Sequence, residues 1–158
     1  MDNQFYPAKS NLALLYYNQG KLDEAENLFL DLINNHEEYT EGYYYLGLLY
    51  AEQQRYKESA EYLEKAVRQQ NPNPRVYYNL GLVYQQLNEN KKAETILMDG
   101  YKLQPYNFDL IFALSDYYLK QKNFTKALSY ANELKTMFPS RPEGQGMINY
   151  IKEQMNLP

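Results

Sequence analysis

The 158-residue chain contains no cysteine. That excludes disulfides, thiolate metal sites and cysteine nucleophiles, and it fits a reducing compartment. Tryptophan is also absent, and histidine occurs once, at His36. A metal site would need further ligands at helical spacing, and no second His or any Cys exists to supply them. No glycine-rich phosphate loop occurs. No run approaches the roughly 18 apolar residues of a membrane span. The opening residues, MDNQFYPAKS, lack the basic start and apolar stretch of a signal peptide. Charge of one sign is missing too: 16 basic and 20 acidic residues are mixed along the chain, for a net charge of −4. That leaves no electrostatic footprint for DNA or RNA. The expected setting is soluble and cytoplasmic, with no nucleic acid partner and no direct membrane insertion.

Convergent chemistry is equally scarce. His36 stands beside Glu37 and Glu38; it reads either as a metal ligand or general base or, more plainly, as an exposed surface histidine. Asp23, Glu24 and Glu26 fall in the first turn of a helix, where acidic residues suit the macrodipole. The residues give no catalytic set, no metal site and no cofactor, so the chain reads as non-enzymatic.

What is abundant is tyrosine, 19 residues in all. It concentrates in two near-identical runs, YYYLGLLY from Tyr43 to Tyr50 and YYNLGLVY from Tyr77 to Tyr84. Gly47 and Gly81 are 34 residues apart, as are Leu46 and Leu80, and Tyr50 and Tyr84. Extending the frame puts Leu12, Ala13 and Tyr16 in the same places of an earlier unit, and Leu114, Ser115 and Tyr118 in those of a later one. The units are 6–39, 40–73, 74–107 and 108–141, without insertion. Each reads as two helices, because apolar residues recur at helical spacing in both halves, as in Tyr43, Leu46 and Tyr50 and again in Tyr56, Ala60, Leu63 and Val67. Polar breaks separate the halves: NQGK at 18–21, EQQR at 52–55, NENK at 88–91 and KQKN at 120–123. Gly20 suits a helix C-terminus. Pro7, Pro74 and Pro142 fall where helices begin. Nothing alternates with period two, so no strand is expected.

The eighth place of the unit holds Ala13, Gly47, Gly81 and Ser115, and the twentieth holds Ala25, Ser59, Ala93 and Ala127. Small residues at both places let the two helices of a unit approach closely, with the tyrosines of the eleventh place filling the space beside the contact. Residues 142–157 read as one further helix, apolar on the face of Met147, Ile148 and Ile151. Repeat stacks need such an end cap. The N-terminal end has no counterpart, so Leu12 and Leu15 are expected to be partly open.

Leu-Gly, then Tyr, then Ala and a closing Pro, recurring four times at this spacing, resembles the tetratricopeptide repeat. Glu37 and Asn71 depart from the closing proline, and Gly100 and Leu134 from a small alanine late in the second helix. The resemblance implies an all-α fold: an α-solenoid of four helix-turn-helix units in one domain, wound as a right-handed superhelix, with a concave groove lined by the first helices. It places Asn11, Leu14, Tyr17, Tyr44, Tyr45, Leu48, Arg75, Tyr78, Asn79, Leu82, Gln85, Phe112 and Asp116 in that groove. These make an aromatic ladder beside a leucine ladder, with amides between. Tyr45 against Asn79 is the difference that marks this chain's own specificity.

The family's co-chaperone type grips a chaperone's C-terminal carboxylate with lysine, asparagine and arginine. One frame here offers Ser10, Leu14, Tyr45, Arg75 and Asn79, and the next offers Tyr44, Leu48, Asn79, Asp109 and Ala113. Neither supplies the cationic clamp, so that partner is rejected. The expected function is a protein-interaction module or adaptor that takes an extended or helical peptide segment in its groove. Two alternatives stand beside it. One is a scaffold that self-associates through its N-terminal face, and the other is the interaction domain of a larger regulatory protein.

Overall fold

Each half of each 34-residue unit is a helix. The computed structural model describes residues 6–36, 39–70 and 72–156, and among them all regular structure is helical. The helices are α1 (Tyr6–Asn18), α2 (Leu22–Asn35), α3 (Glu41–Glu52), α4 (Tyr56–Val67), α5 (Pro74–Gln86), α6 (Asn90–Leu103), α7 (Phe108–Lys120), α8 (Phe124–Met137) and α9 (Glu143–Met155). Glu37, Glu38, Asn71 and Leu157, which the repeat and cap boundaries include, lie outside the described residues. None of the described helices is long and apolar enough to cross a membrane.

The turn between the two helices of a repeat is the same four times. Gly20 has φ +72°, and the residues in its place in the other repeats, Gln54, Asn88 and Lys122, have φ of 60°, 58° and 57°. In each turn the left-handed residue donates its N–H three residues back, and its successor reaches the carbonyl of the eleventh-place tyrosine. Arg55 N to Tyr50 O, Glu89 N to Tyr84 O and Asn123 N to Tyr118 O are each 2.8 Å, and Lys21 N to Tyr16 O is 2.9 Å. This is the paired bonding of a Schellman motif, which satisfies two carbonyls the helix leaves open. The third break therefore lies at 87–89. The polar run NENK, expected to be the break, already belongs in part to α6, which starts at Asn90. The starts of α5, α7 and α8 are capped by asparagine: the side chains of Asn73, Asn107 and Asn123 accept from Arg75 N, Leu110 N and Lys126 N at 3.0, 3.2 and 3.2 Å.

The chain divides into two compact units, one ending at Glu89 with α1–α5 and the other beginning at Asn90 with α6–α9. In the first unit Ala13, Ala25, Phe29, Leu32, Leu46 and Leu49 are fully buried, each large side chain contributing about 1.5–3 kcal/mol by leaving water. The small places meet as expected. A Cβ on Gly47 would fall 2.5 Å from Leu63 Cγ. Ser59 Oγ donates to Gly47 O at 2.7 Å across α3 and α4. The second unit repeats the contact with the serine on the other helix, Ser115 Oγ to Ala127 O at 2.9 Å.

Successive repeats are joined by the eleventh-place tyrosines. Tyr50 donates to Glu26 at 2.7 Å, Tyr84 to Glu64 at 2.6 Å and Tyr118 to Glu94 at 2.6 Å. Each carboxylate also meets a cation, Arg55 for Glu26, Arg68 for Glu64 and Lys126 for Glu94. Glu26 and Glu94 share one place of the repeat; where Ala60 occupies it, Glu64 supplies the acceptor one turn later.

At the C-terminal end, α9 buries Ile148 and Ile151 and lies so close to α8 that a Cβ on Gly144 would meet Lys135 N at 2.6 Å. Near the N-terminal end of the described residues, Leu12 and Leu15 are 40% and 50% exposed. His36 differs from expectation. It is half-buried with its ring centroid 5.4 Å from that of Tyr6, because Tyr6 at the start of α1 packs back over the end of α2. Among the described residues no group of His, Cys, Asp or Glu is placed to hold a metal ion.

Candidate functional site

In the first unit, α1, α3 and α5 contribute a common face through residues of three successive repeats. Tyr17 of α1 is half-buried; burial first, then the Glu52 carboxylate beside it, pushes its hydroxyl up to about 12. Tyr44 of α3 comes next. Its hydroxyl accepts from Asn79 Nδ2 of α5 at 3.2 Å, and the same Nδ2 donates to Arg75 O at 2.9 Å. Burial raises the Tyr44 hydroxyl's pKa against the opposite pull of Arg75. Tyr17, Tyr44, Arg75 and Asn79 are thus neighbours in the structure. Tyr78 is half-buried and Arg75 exposed on the same helix, α5.

The leucines of the ninth place, Leu14, Leu48 and Leu82, are half-buried rather than open, so packing takes part of the apolar area expected there. Gln85 is half-buried, with its Nε2 sealed from solvent and without a hydrogen-bond partner. Asn11 lines a cleft of about 310 Å³ with Tyr6, Ser10, Tyr39 and Glu41, where Ser10 donates to the Tyr39 hydroxyl at 2.8 Å.

Tyr45 has a neighbour the sequence did not disclose. Its ring stacks on Phe29 of α2, 5.4 Å between centroids and 10° between planes, and stands 5.5 Å and 55° from the ring of Tyr44. Tyr44 and Tyr45 together form one wall of a cleft of about 560 Å³, closed opposite by the end of α4 and the residues leading into α5, among them Gln69, Pro72 and Asn73. The helical pattern signals the two rings but not the cleft, which depends on the path of the chain between α4 and α5.

Phe112 and Asp116 belong to α7 in the second unit. The Phe112 ring stacks on Phe108 at 6.1 Å, and Asp116 accepts from Lys120 at 2.6 Å. A cleft of about 570 Å³ in this unit is lined by Asp116, Leu119, Phe124, Tyr150 and Met155. Tyr150 and Met155 are 52% and 50% exposed. Sequence reasoning missed them because it followed the buried face of α9; two large apolar side chains off that face were the available signal.

Two models of the tetratricopeptide repeat match the sequence, one over residues 10–74 and the other over residues 50–100. No curated protein matches it by sequence. Solved structures do match in fold. YrrB, described as a tetratricopeptide repeat protein with an unusual peptide-binding site, has a TM-score of 0.75 at 21% identity, covering 93% of this chain and 76% of its own. MamA from Desulfovibrio magneticus has a TM-score of 0.83 at 14% identity, covering 99% and 88%. PilF of Pseudomonas aeruginosa has a TM-score of 0.80 at 17% identity, covering 97% and 70%. With both sequence matches lying on the 34-residue frame that the helices follow, the chain belongs to the tetratricopeptide repeat family.

Proposed function

We propose that this chain is a single, non-catalytic repeat domain that binds a peptide segment of another protein along the face of its first helices. The observation that carries the reading is the Tyr17–Tyr44–Asn79 strip, where side chains from three repeats meet on one surface. Half-buried tyrosines offer large contact area with little side-chain entropy to lose, and Asn79 and Gln85 offer amides for a ligand backbone. Arg75 stands exposed at the edge to meet an acidic ligand residue. YrrB is a precedent for a peptide site on this fold.

The test is selection of binders from a random peptide library against the intact chain, followed by affinity measurement with a Tyr44→Ala/Tyr78→Ala double variant whose helicity is checked by circular dichroism. Loss of two aromatic anchors is expected to weaken a selected peptide about 30-fold or more. Unchanged affinity moves the site off this face.

A second reading rests on a different observation, the exposure of Leu12 and Leu15 at 40% and 50%. It holds that this N-terminal face joins a second copy. Light scattering over a dilution series decides it: a strict monomer at the highest concentration ends this reading.

A further inference from the structure

We infer that the cleft walled by Glu41, Tyr44 and Tyr45 is an arginine pocket, which seats one guanidinium side chain of the bound segment; it rests on the peptide-binding reading and supplies the chemistry of that partner. Glu41, Tyr44 and Tyr45 stand at i, i+3 and i+4 of α3, so they share one helical face. Among the described residues that line this cleft, Glu41 is the one charged side chain. It is exposed, and within the described structure it makes no ion pair and no side-chain hydrogen bond. Arg75 acts on the Tyr44 hydroxyl but does not line the cleft, so the lining itself carries one carboxylate and no cation, which is complementary to a basic ligand group.

The rings beside that carboxylate are already fixed. Asn79 holds the Tyr44 hydroxyl at 3.2 Å, and Phe29 holds the face of Tyr45 at 5.4 Å. Binding therefore need not order them. Their 55° angle makes a corner into which a flat group can slide against one ring while pointing at the edge of the other. Arginine fits this better than lysine: its planar guanidinium stacks on an aromatic face and forks onto a carboxylate, and it sheds water more readily. Gln69 adds an acceptor on the opposite wall, because its Nε2 is engaged with Lys65 O at 3.0 Å and its side-chain oxygen remains available. A carboxylate in a first helical turn also suits the helix dipole. That accounts for an acid at position 41, but not for two immobilised rings one turn further on and an uncharged cleft opposite.

The experiment is an amide and aromatic NMR titration of the intact chain with N-acetyl-arginine amide, and in parallel with N-acetyl-citrulline amide, its neutral near-isostere. Shifts are expected to cluster on Thr40–Tyr45 and Gln69–Val76, and to need about tenfold more citrulline probe, or about tenfold more arginine probe in Glu41→Gln. Equal response to both probes, an unchanged response in Glu41→Gln, or shifts centred on other carboxylates overturns the pocket. The two readings fail separately. Selected peptides that bind the Tyr44–Tyr78 face with no basic residue at the cleft refute the pocket alone. Arginine-specific shifts at the cleft, with peptide affinity untouched by Tyr17→Ala/Tyr78→Ala, which leave the cleft intact, refute the groove alone.

Discussion

At the scale of the residue, one close approach between the paired helices of the second repeat decides much. Gly47 faces Leu63, and a Cβ there would lie 2.5 Å from Leu63 Cγ and 3.3 Å from Leu63 N. Two effects of Gly47→Ala oppose each other. Alanine favours the helix over glycine by about 1 kcal/mol, whereas overpacking a filled core costs about 1–3 kcal/mol. Leu63 is fully buried, and the new methyl would meet its branch point and its backbone N rather than a side-chain tip alone, so the steric term wins. Urea denaturation is expected to show Gly47→Ala less stable by about 1–2 kcal/mol. Leu63→Ala in the same chain is expected to relieve part of that loss, so the two changes together cost less than their sum. Strict additivity would mean that Leu63 is not what the new methyl meets. The pair of small places was legible in the sequence because it recurs in every unit. The stack of Tyr45 on Phe29 was not, since it joins different repeats through places that no period links.

At the scale of the element, the same left-handed turn is built by glycine once and by side-chain-bearing residues three times. The sequence announced it at Gly20 alone, because at Gln54, Asn88 and Lys122 two backbone hydrogen bonds, rather than the residue type, hold the conformation. The helix boundaries around the third turn were misplaced for a related reason. Asn88 to Lys91 is polar throughout, so nothing in its composition separates the turn from the exposed start of α6. A left-handed conformation costs an ordinary L-residue about 1–2 kcal/mol, and asparagine less. Part of that is recoverable by glycine, whose greater freedom in the unfolded chain takes some back. Gln54→Gly and Lys122→Gly are therefore expected to stabilise the chain by about 0.5–1 kcal/mol each, and Gly20→Ala to destabilise it by about 1 kcal/mol. Asn88→Gly is expected to change the urea midpoint little. An Asn88→Gly gain as large as that of Gln54→Gly would remove conformational strain as the explanation.

At the scale of the molecule, stability in a repeat chain is carried by the interfaces between neighbours, and here three of them share one device: a buried tyrosine hydroxyl on a carboxylate that also faces a cation. The device has a defined pH range. Burial first, then the bond to its glutamate, raises each of Tyr50, Tyr84 and Tyr118 above the ordinary 10.0. A raised value in the folded state means that the contribution is complete below pH 10.0 and is lost as pH rises towards the folded value. Glu94 has the opposite sign. The Tyr118 hydrogen bond, then Lys126, holds it below the ordinary 4.5, so its contribution is complete above that pH and is lost as pH falls through the lowered value. Urea midpoints are thus expected to be level across the neutral range and to fall on both sides. The Tyr50→Phe/Tyr84→Phe/Tyr118→Phe chain is expected to sit lower on the plateau by about 1 kcal/mol per lost bond, since the acceptors are partly exposed. Its alkaline fall is expected to be shallower than that of the parent, with a remainder from Tyr17 and Tyr101, whose hydroxyls burial and a neighbouring glutamate push up to about 12. Parallel alkaline curves for the two chains would show that these three hydroxyls do not set the pH response, and would return the stability of the repeat interfaces to apolar packing alone.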